Sequence, residues 1–205
     1  MGFYSDQIVP RFLNVAMGMS MIADERKKCL ADVQGTVLEV GFGSGHNLPF
    51  YPATVERVIA IDPSELSARL ARPRISKAPF PVEYLPLKGE EIPAPDASFD
   101  SVVSTFTMCT IQDTNAALRQ IRRVLRPGGR FYFVEHGRSH EPGIQRWQDR
   151  LNGIQNALCG GCNLNRDMER LIADAGFEFL SIDKYYAKGP KFSTYMYRGI
   201  ARPKS

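Results

Sequence analysis

The 205 residues are 43% apolar and 23% charged, with a formal net charge of +4. That balance suits one soluble α/β domain with a sizeable core and excludes collagen-like, disordered and disulfide-scaffold classes. The positive charge is small and dispersed. Arg69, Arg72, Arg74 and Lys77 form the densest cluster, and Arg119, Arg122, Arg123, Arg126 and Arg130 the next. Solvated helix faces account for these better than a nucleic-acid or anionic-membrane surface. No apolar run approaches the ~20 residues that cross a bilayer, and Met1 to Asp6 lacks the basic start and apolar stretch of a signal peptide. Four cysteines, at 29, 109, 159 and 162, then favour a reducing, cytoplasmic setting without structural disulfides.

Residues 3–31 carry Ile8, Val9, Phe12, Leu13, Val15, Ala16, Met19 and Ile22 near helical spacing, which predicts a helical segment closed by Gly35. After it the pattern changes to short apolar runs: Thr36 to Val40, Arg57 to Ile61, Val82 to Leu85, Phe99 to Ser104 and Arg130 to Glu135, each read as a buried strand. Ser64 to Ala71 reads as a helix broken near Pro73. Asp113 to Leu125 reads as an amphipathic helix stopped by Pro127-Gly128-Gly129. Two more helices follow, near 143–157 and 166–175, the second capped by Asn165 and ended by Gly176. Phe177 to Tyr185 and Thr194 to Ala201 read as closing strands. Alternating strands and helices predict a doubly wound, seven-stranded Rossmann-like α/β domain over 35–205, preceded by a helical cap over 1–34.

Glu39-Val40-Gly41-Phe42-Gly43-Ser44-Gly45 follows the first strand and is expected to open a helix. Glycines belong where backbone turns tightly or must approach a ligand, and this position is the ligand crevice of an open α/β sheet. The dinucleotide motif places its third glycine one residue later, where His46 stands here. Glu39 would repel a pyrophosphate and suits a cationic ligand such as an aminoacyl sulfonium. Asp62, ending the second strand, is placed to accept from ribose hydroxyls.

On these residues the chain resembles the class I S-adenosylmethionine-dependent methyltransferases. Leu38 to Gly45 is similar to the family's first motif, with Phe42 where Cys or Ala is commoner. Val58 to Ser64, Ser98 to Ser104 and Arg123 to Gly129 are similar to three others. The resemblance implies S-adenosylmethionine as cofactor. It implies a cofactor site of Glu39, Gly41, Phe42, Gly43, Gly45, Asn47, Asp62, Pro63, Leu87, Lys88, Gly89 and Thr105, with Asp62 on the ribose, Pro63 flanking the adenine and Thr105 beside the sulfonium. Lys88 stands where many relatives have an Asp toward the adenine, so backbone contacts from Leu87 to Gly89 are expected there instead.

Narrower resemblance comes from Phe131 to His136, Trp147 and Gly161 to Arg166, with Tyr51-Pro52 and Met108-Cys109. These are similar to the methyltransferase-like thiol S-methyltransferases and imply a small thiol or hydrogen sulfide as acceptor. Related patterns methylate phosphatidylethanolamine or quinone precursors, which is the alternative, and a non-catalytic cofactor-binding protein is a second. A thiolate, not a thiol, is the nucleophile, so a base of near-neutral pKa is useful. His136 at the end of the fifth strand is the candidate catalytic residue, and Glu135 either orients it or faces the core. His46 is read as structural and His140 as solvated. Cys159-x-x-Cys162 lacks a second Cys/His pair at zinc spacing, so no metal is expected; Cys109 is read as packing. The N-terminal stretch is expected to act as a lid, a peripheral membrane helix being its rival. Tyr4, Phe12, Met17 and Trp147 are then candidate pocket walls.

Overall fold

The computed structural model describes residues 9–204; Tyr4 and the side chains of Val9, Phe12, Leu13 and Ala16 lie outside that description. The expected strands all form. They are β1 (Gly35–Val40), β2 (Val55–Ile61), β3 (Val82–Leu85), β4 (Phe99–Thr105), β5 (Leu125–His136), β6 (Phe177–Tyr186) and β7 (Tyr195–Pro203). They build one sheet in the order β3-β2-β1-β4-β5-β7-β6. The first five are parallel, and β7 runs antiparallel to both β5 and β6.

Parallel strands are covered on both faces, so their sequences are apolar throughout rather than alternating. Successive side chains still point to opposite faces. Val37, Val58, Val103, Tyr132 and Val134 pack on one side with Cys29, Leu30 and Phe80. Leu38, Ile61, Val102, Phe131 and Phe133 pack on the other with Leu118, Ile121, Val124 and Met168. Strand order reverses between β1 and β4, which opens a crevice at their carboxyl ends.

The helices are α1 (Val9–Ala16), α2 (Ser20–Leu30), α3 (Glu65–Ile75), α4 (Thr114–Val124), α5 (Pro142–Leu158) and α6 (Met168–Asp174). Four details differ from the sequence reading. The N-terminal segment is two helices, with a turn at Gly18 whose N–H donates to Val15 O. No α-helix follows the glycine loop: Leu48–Phe50 is a single 3₁₀ turn, because Pro49 and Pro52 cannot donate to a helical ladder. Helix α3 runs through Pro73 to Ile75; Pro73 and Arg69 are both exposed, so water can satisfy the Arg69 carbonyl left without its donor. Asp167, not Asn165, caps α6 by accepting from Arg170 N, while Asn165 donates to Asp149.

Candidate active site

The glycine loop is pinned at its start. Gly41 N and Phe42 N both donate to Ile61 O at the end of β2. Gly41 has φ +75°, and a Cβ there would overlap the Thr107 side chain. Gly43, at φ +56°, faces open space, with nothing within 4 Å of a built Cβ. Its N–H donates to Asp62 Oδ2 at 2.8 Å, and Ser64 N donates to Asp62 Oδ1 at 2.9 Å. Burial raises the Asp62 carboxyl, and the two N–H donors oppose that. Phe42 is buried edge-on against Tyr84, so it offers a ligand its backbone only.

Beneath the loop lies a buried polar network. Glu39 is 1% exposed and accepts from Asn47 Nδ2 at 2.8 Å and from Tyr51 OH at 2.6 Å. Burial pushes its carboxyl up to about 7, against the pull of Tyr51, Arg26 and Asn47. Arg26 of α2 donates to Asn47 Oδ1 at 2.6 Å and Thr105 Oγ1 at 2.5 Å, and its guanidinium lies over the Phe106 ring. Its Nε is buried without a partner among the described residues. Phe106 itself takes φ +56°, a left-handed conformation that costs a bulky residue energy and turns the chain sharply after β4. Nearby, His46 bonds Asn14 O and is pushed down to about 4 by burial and by Arg74.

The carboxyl ends of β4 and β5 hold a second cluster. Glu135 is fully buried, and its Oε1 accepts from Ser104 Oγ, Thr107 N and Met108 N. It anchors the loop after β4 and leaves the opposite face of the strand to His136. Burial, then Cys109, push Glu135 up to about 7. His136 Nε2 is 2.8 Å from Cys162 Sγ, which lies 3.6 Å from Cys109 Sγ. Cys109 is held well below the ordinary thiol value by the Cys162 hydrogen bond, against burial and with help from His136, and Cys162 is held above it. Burial disfavours a charged His136, but the Cys109 thiolate outweighs it and raises the imidazole.

Residues 38–133 match a family described as a methyltransferase domain. The chain is 34% identical over 156 residues to the human thiol S-methyltransferase TMT1A, covering 74% of this chain and 64% of that protein. It is 31% identical over 146 residues to the phosphatidylethanolamine N-methyltransferase of Cereibacter sphaeroides, covering 70% of each. The chain belongs to the class I S-adenosylmethionine-dependent methyltransferases. It stands close to the thiol S-methyltransferases, although the match spans just under two thirds of the human relative's length. Solved structures share the methyltransferase fold. A possible histamine N-methyltransferase from Thermotoga maritima superposes with TM-score 0.69 at 20% identity over 98% of this chain and all of that one. The PH0226 protein from Pyrococcus horikoshii gives 0.70 at 19%, over 95% and 99%.

In this methyltransferase Gly41, Gly43, Gly45, Asn47, Asp62 and Thr105 converge at the crevice. Pro63 and Lys88 are exposed, Leu87 is half-buried, and a Cβ on Gly89 would meet Val40 Cγ1 at 2.8 Å. Glu39 sits under the loop rather than in it, with both oxygens engaged by Asn47 and Tyr51. Met17 lines a cavity of about 100 Å³ with Arg26 and His46, whereas Trp147 is 54% exposed and forms no inner wall. Sequence reasoning missed Arg26 and Thr107, and it read Cys109 as a pocket-lining or packing residue rather than a reactive one. No local pattern marks Arg26 within a charged helix. A larger cavity of about 220 Å³, lined by Cys29, Asp183 and Arg198 among others, lies away from the strand ends where this fold binds ligands. Among the described residues, no helix is long and apolar enough to cross a membrane.

Proposed function

We propose that this methyltransferase methylates a small thiol or hydrogen sulfide. The supporting observation is the similarity to thiol S-methyltransferases from human, rat and mouse, at 30–34% identity over 72–77% of the chain. The cofactor reading rests on the open side of Gly43, which a side chain would fill, and on the unpartnered buried Nε of Arg26, the residue that holds Asn47 and Thr105. When bound, S-adenosylmethionine supplies a methyl group activated by its sulfonium. The chain supplies position, dryness and proton removal. The backbone of Gly41 to Gly45 carries the aminoacyl end, with Phe42 contributing its main chain. Glu39, Asn47 and Thr105 set the polarity beneath it. Asp62 accepts from the ribose, and Pro63, Leu87, Lys88 and Gly89 border the adenine. Ionising the acceptor is assigned to His136.

Residues 1–34 are read as a lid. Arg26 ties α2 to Asn47 and Thr105, and the cavity of about 100 Å³ beside it is smaller than the ~300 Å³ at which small-molecule sites begin. Helices α1 and α2 are assigned the part of a cover over the crevice. A lipid-amine acceptor is the second reading, favoured by the phosphatidylethanolamine N-methyltransferase match over 70% of each chain.

Radiolabelled S-adenosylmethionine offered with hydrogen sulfide, ethanethiol, phosphatidylethanolamine vesicles and a quinol separates these readings. Methylated sulfide or thiol is the expected product; label in lipid or quinol alone overturns the thiol assignment. His136→Ala should slow ethanethiol methylation more at pH 7 than at pH 9, where a larger share of the acceptor is already thiolate. An equal loss at both pH values removes His136 from that role.

A further inference from the structure

Cys109, His136 and Cys162 come from three separate elements: the loop after β4, the end of β5 and the loop after α5. Their ligand atoms lie within 4.8 Å of one another. That meeting is built rather than incidental. Asn163 donates twice to Cys109 O, from its backbone N at 2.9 Å and from Nδ2 at 3.0 Å, so the Cys162 loop is clamped to the Cys109 loop. Asn152 Oδ1 holds the next turn by accepting from Leu164 N at 2.8 Å. Around the sulfurs stand further donors: Thr110 Oγ1 at 3.5 Å from Cys109 Sγ and Gln155 Nε2 at 3.9 Å from Cys162 Sγ. Arg166, fixed by Met108 O and Thr114 Oγ1, adds positive charge nearby.

We infer that Cys109, His136 and Cys162 form a binding site for one zinc-like divalent ion, with its fourth position open. Two thiolates and one imidazole are a donor set that suits zinc, and three protein ligands leave room for a ligand from outside the chain. In a tetrahedral site with the usual zinc bond lengths, two sulfurs stand about 3.8 Å apart and a sulfur and an imidazole nitrogen about 3.6 Å. The Cys109–Cys162 separation of 3.6 Å already meets the first value. The His136–Cys162 separation of 2.8 Å is shorter, so the imidazole must retreat by under ~1 Å to admit the ion. Ligation displaces to solvent the protons held by Cys162 and by the His136 imidazole, Cys109 already being the thiolate, and no electron is transferred. Cys159 lies outside the cluster. The sequence reading sought zinc spacing around Cys159 and Cys162, whereas the other two proposed ligands are 26 and 53 residues upstream of Cys162.

That a substrate thiolate fills the open position rests on the thiol reading above; the three-residue site does not, and with the ion bound His136 Nε2 is a ligand, so ionising the acceptor passes from the imidazole to the metal. The test is cobalt titration of the reduced full-length protein, read as sulfur-to-cobalt charge-transfer absorption. One ion per chain with tetrahedral visible bands is expected. Cys162→Ser and Cys109→Ser should each weaken cobalt binding at least ~10-fold, because a thiolate is lost from the coordination shell. Cys159→Ser should leave the affinity within twofold of wild type, roughly the scatter of such a titration. Absence of a charge-transfer band in wild-type protein that still binds S-adenosylmethionine overturns the site. So does a band that survives Cys162→Ser unchanged, or purified protein whose Cys109–Cys162 pair is a disulfide and takes up no cobalt after reduction. Ethanethiol should shift the visible cobalt bands. Unshifted bands overturn the fourth-ligand assignment, and if ethanethiol is still methylated the thiol reading stands without it.

Discussion

The crevice has two sides built on different logic. On the donor side, at the ends of β1 and β2, the chain works mainly through backbone: Gly41 and Phe42 N–H groups on Ile61 O, and Gly43 and Ser64 N–H groups on Asp62. On the side proposed for the acceptor, at the ends of β4 and β5, it works through side chains gathered from afar: Glu135, His136, Cys109 and Cys162. These partners lie on two consecutive strands, with Gly43 and Asp62 only 19 residues apart, so the donor side falls within one short stretch of chain. Side-chain clusters depend on the sheet bringing strands together, so the acceptor side has no such stretch. The two sides thus differ in how they are encoded: the glycine loop and Asp62 within a short stretch of chain, the Cys109, His136 and Cys162 cluster by sheet topology.

The largest expected break in that contrast is Gly41→Ala. The added Cβ meets the Thr107 side chain at a backbone φ of +75°, so overlap and strain act together. A loss of about 2–4 kcal/mol in denaturant unfolding is expected, together with loss of cofactor binding. Stability within ~0.5 kcal/mol of wild type would mean the loop tolerates a side chain and is not the tight turn described. Next comes Asp62→Ala, which removes a carboxylate held by two N–H groups and assigned to the ribose. Cofactor affinity by calorimetry should fall by about 1–3 kcal/mol, and unchanged affinity would detach Asp62 from the ligand.

What could be read from the sequence follows the same division. All seven strands were legible, because apolar runs such as Val58 to Ile61 and Phe131 to Val134 are bounded by turns and buried on both faces. The glycine motif and Asp62 were legible because spacing alone carries them. Arg26 was not: its partners Asn47 and Thr105 lie 21 and 79 residues away, and only the docking of α2 against β5 and the Leu48–Phe50 turn joins them. The absence of a helix after the loop was legible in Pro49 and Pro52 but was outweighed by the motif's usual continuation. Cys109 looked like packing because its neighbours are 27 and 53 residues distant.

A pH-dependent test sharpens the donor side. Glu39 is fully buried, and its folded pKa of about 7 lies above the ordinary carboxyl value of 4.5. Between those values the folded state binds more protons than the unfolded one, so stability falls as pH rises through that window and stays lower above it. Glu39→Gln removes this dependence while keeping an acceptor for Asn47. The variant should therefore gain about 1–2 kcal/mol over wild type at pH 8 and little at pH 4.5, by paired denaturant unfolding without cofactor. His46, with its depressed pKa, has the opposite slope but is common to both proteins and cancels. An equal difference at both pH values would mean Glu39 is ionised in the folded state throughout.

The smallest expected effect separates Asp62's carboxylate from its surroundings. Ser64 has two unrelated roles: its Oγ caps α3 by accepting from Ser67 N at 3.2 Å, and its N–H donates to Asp62 Oδ1. Ser64→Ala deletes the first and keeps the second, since the backbone N–H is untouched. The lost cap should cost about 0.5–1 kcal/mol of global stability. Cofactor affinity should stay within twofold of wild type, roughly the scatter of calorimetry and below the ~0.5 kcal/mol typical of a lost hydrogen bond. That outcome, beside the larger loss from Asp62→Ala, would establish that backbone aims the carboxylate and that the helix behind it need only be present. A weakened affinity would mean instead that the start of α3 shifts when its cap is lost. Part of the donor side would then depend on side-chain packing, as the acceptor side does.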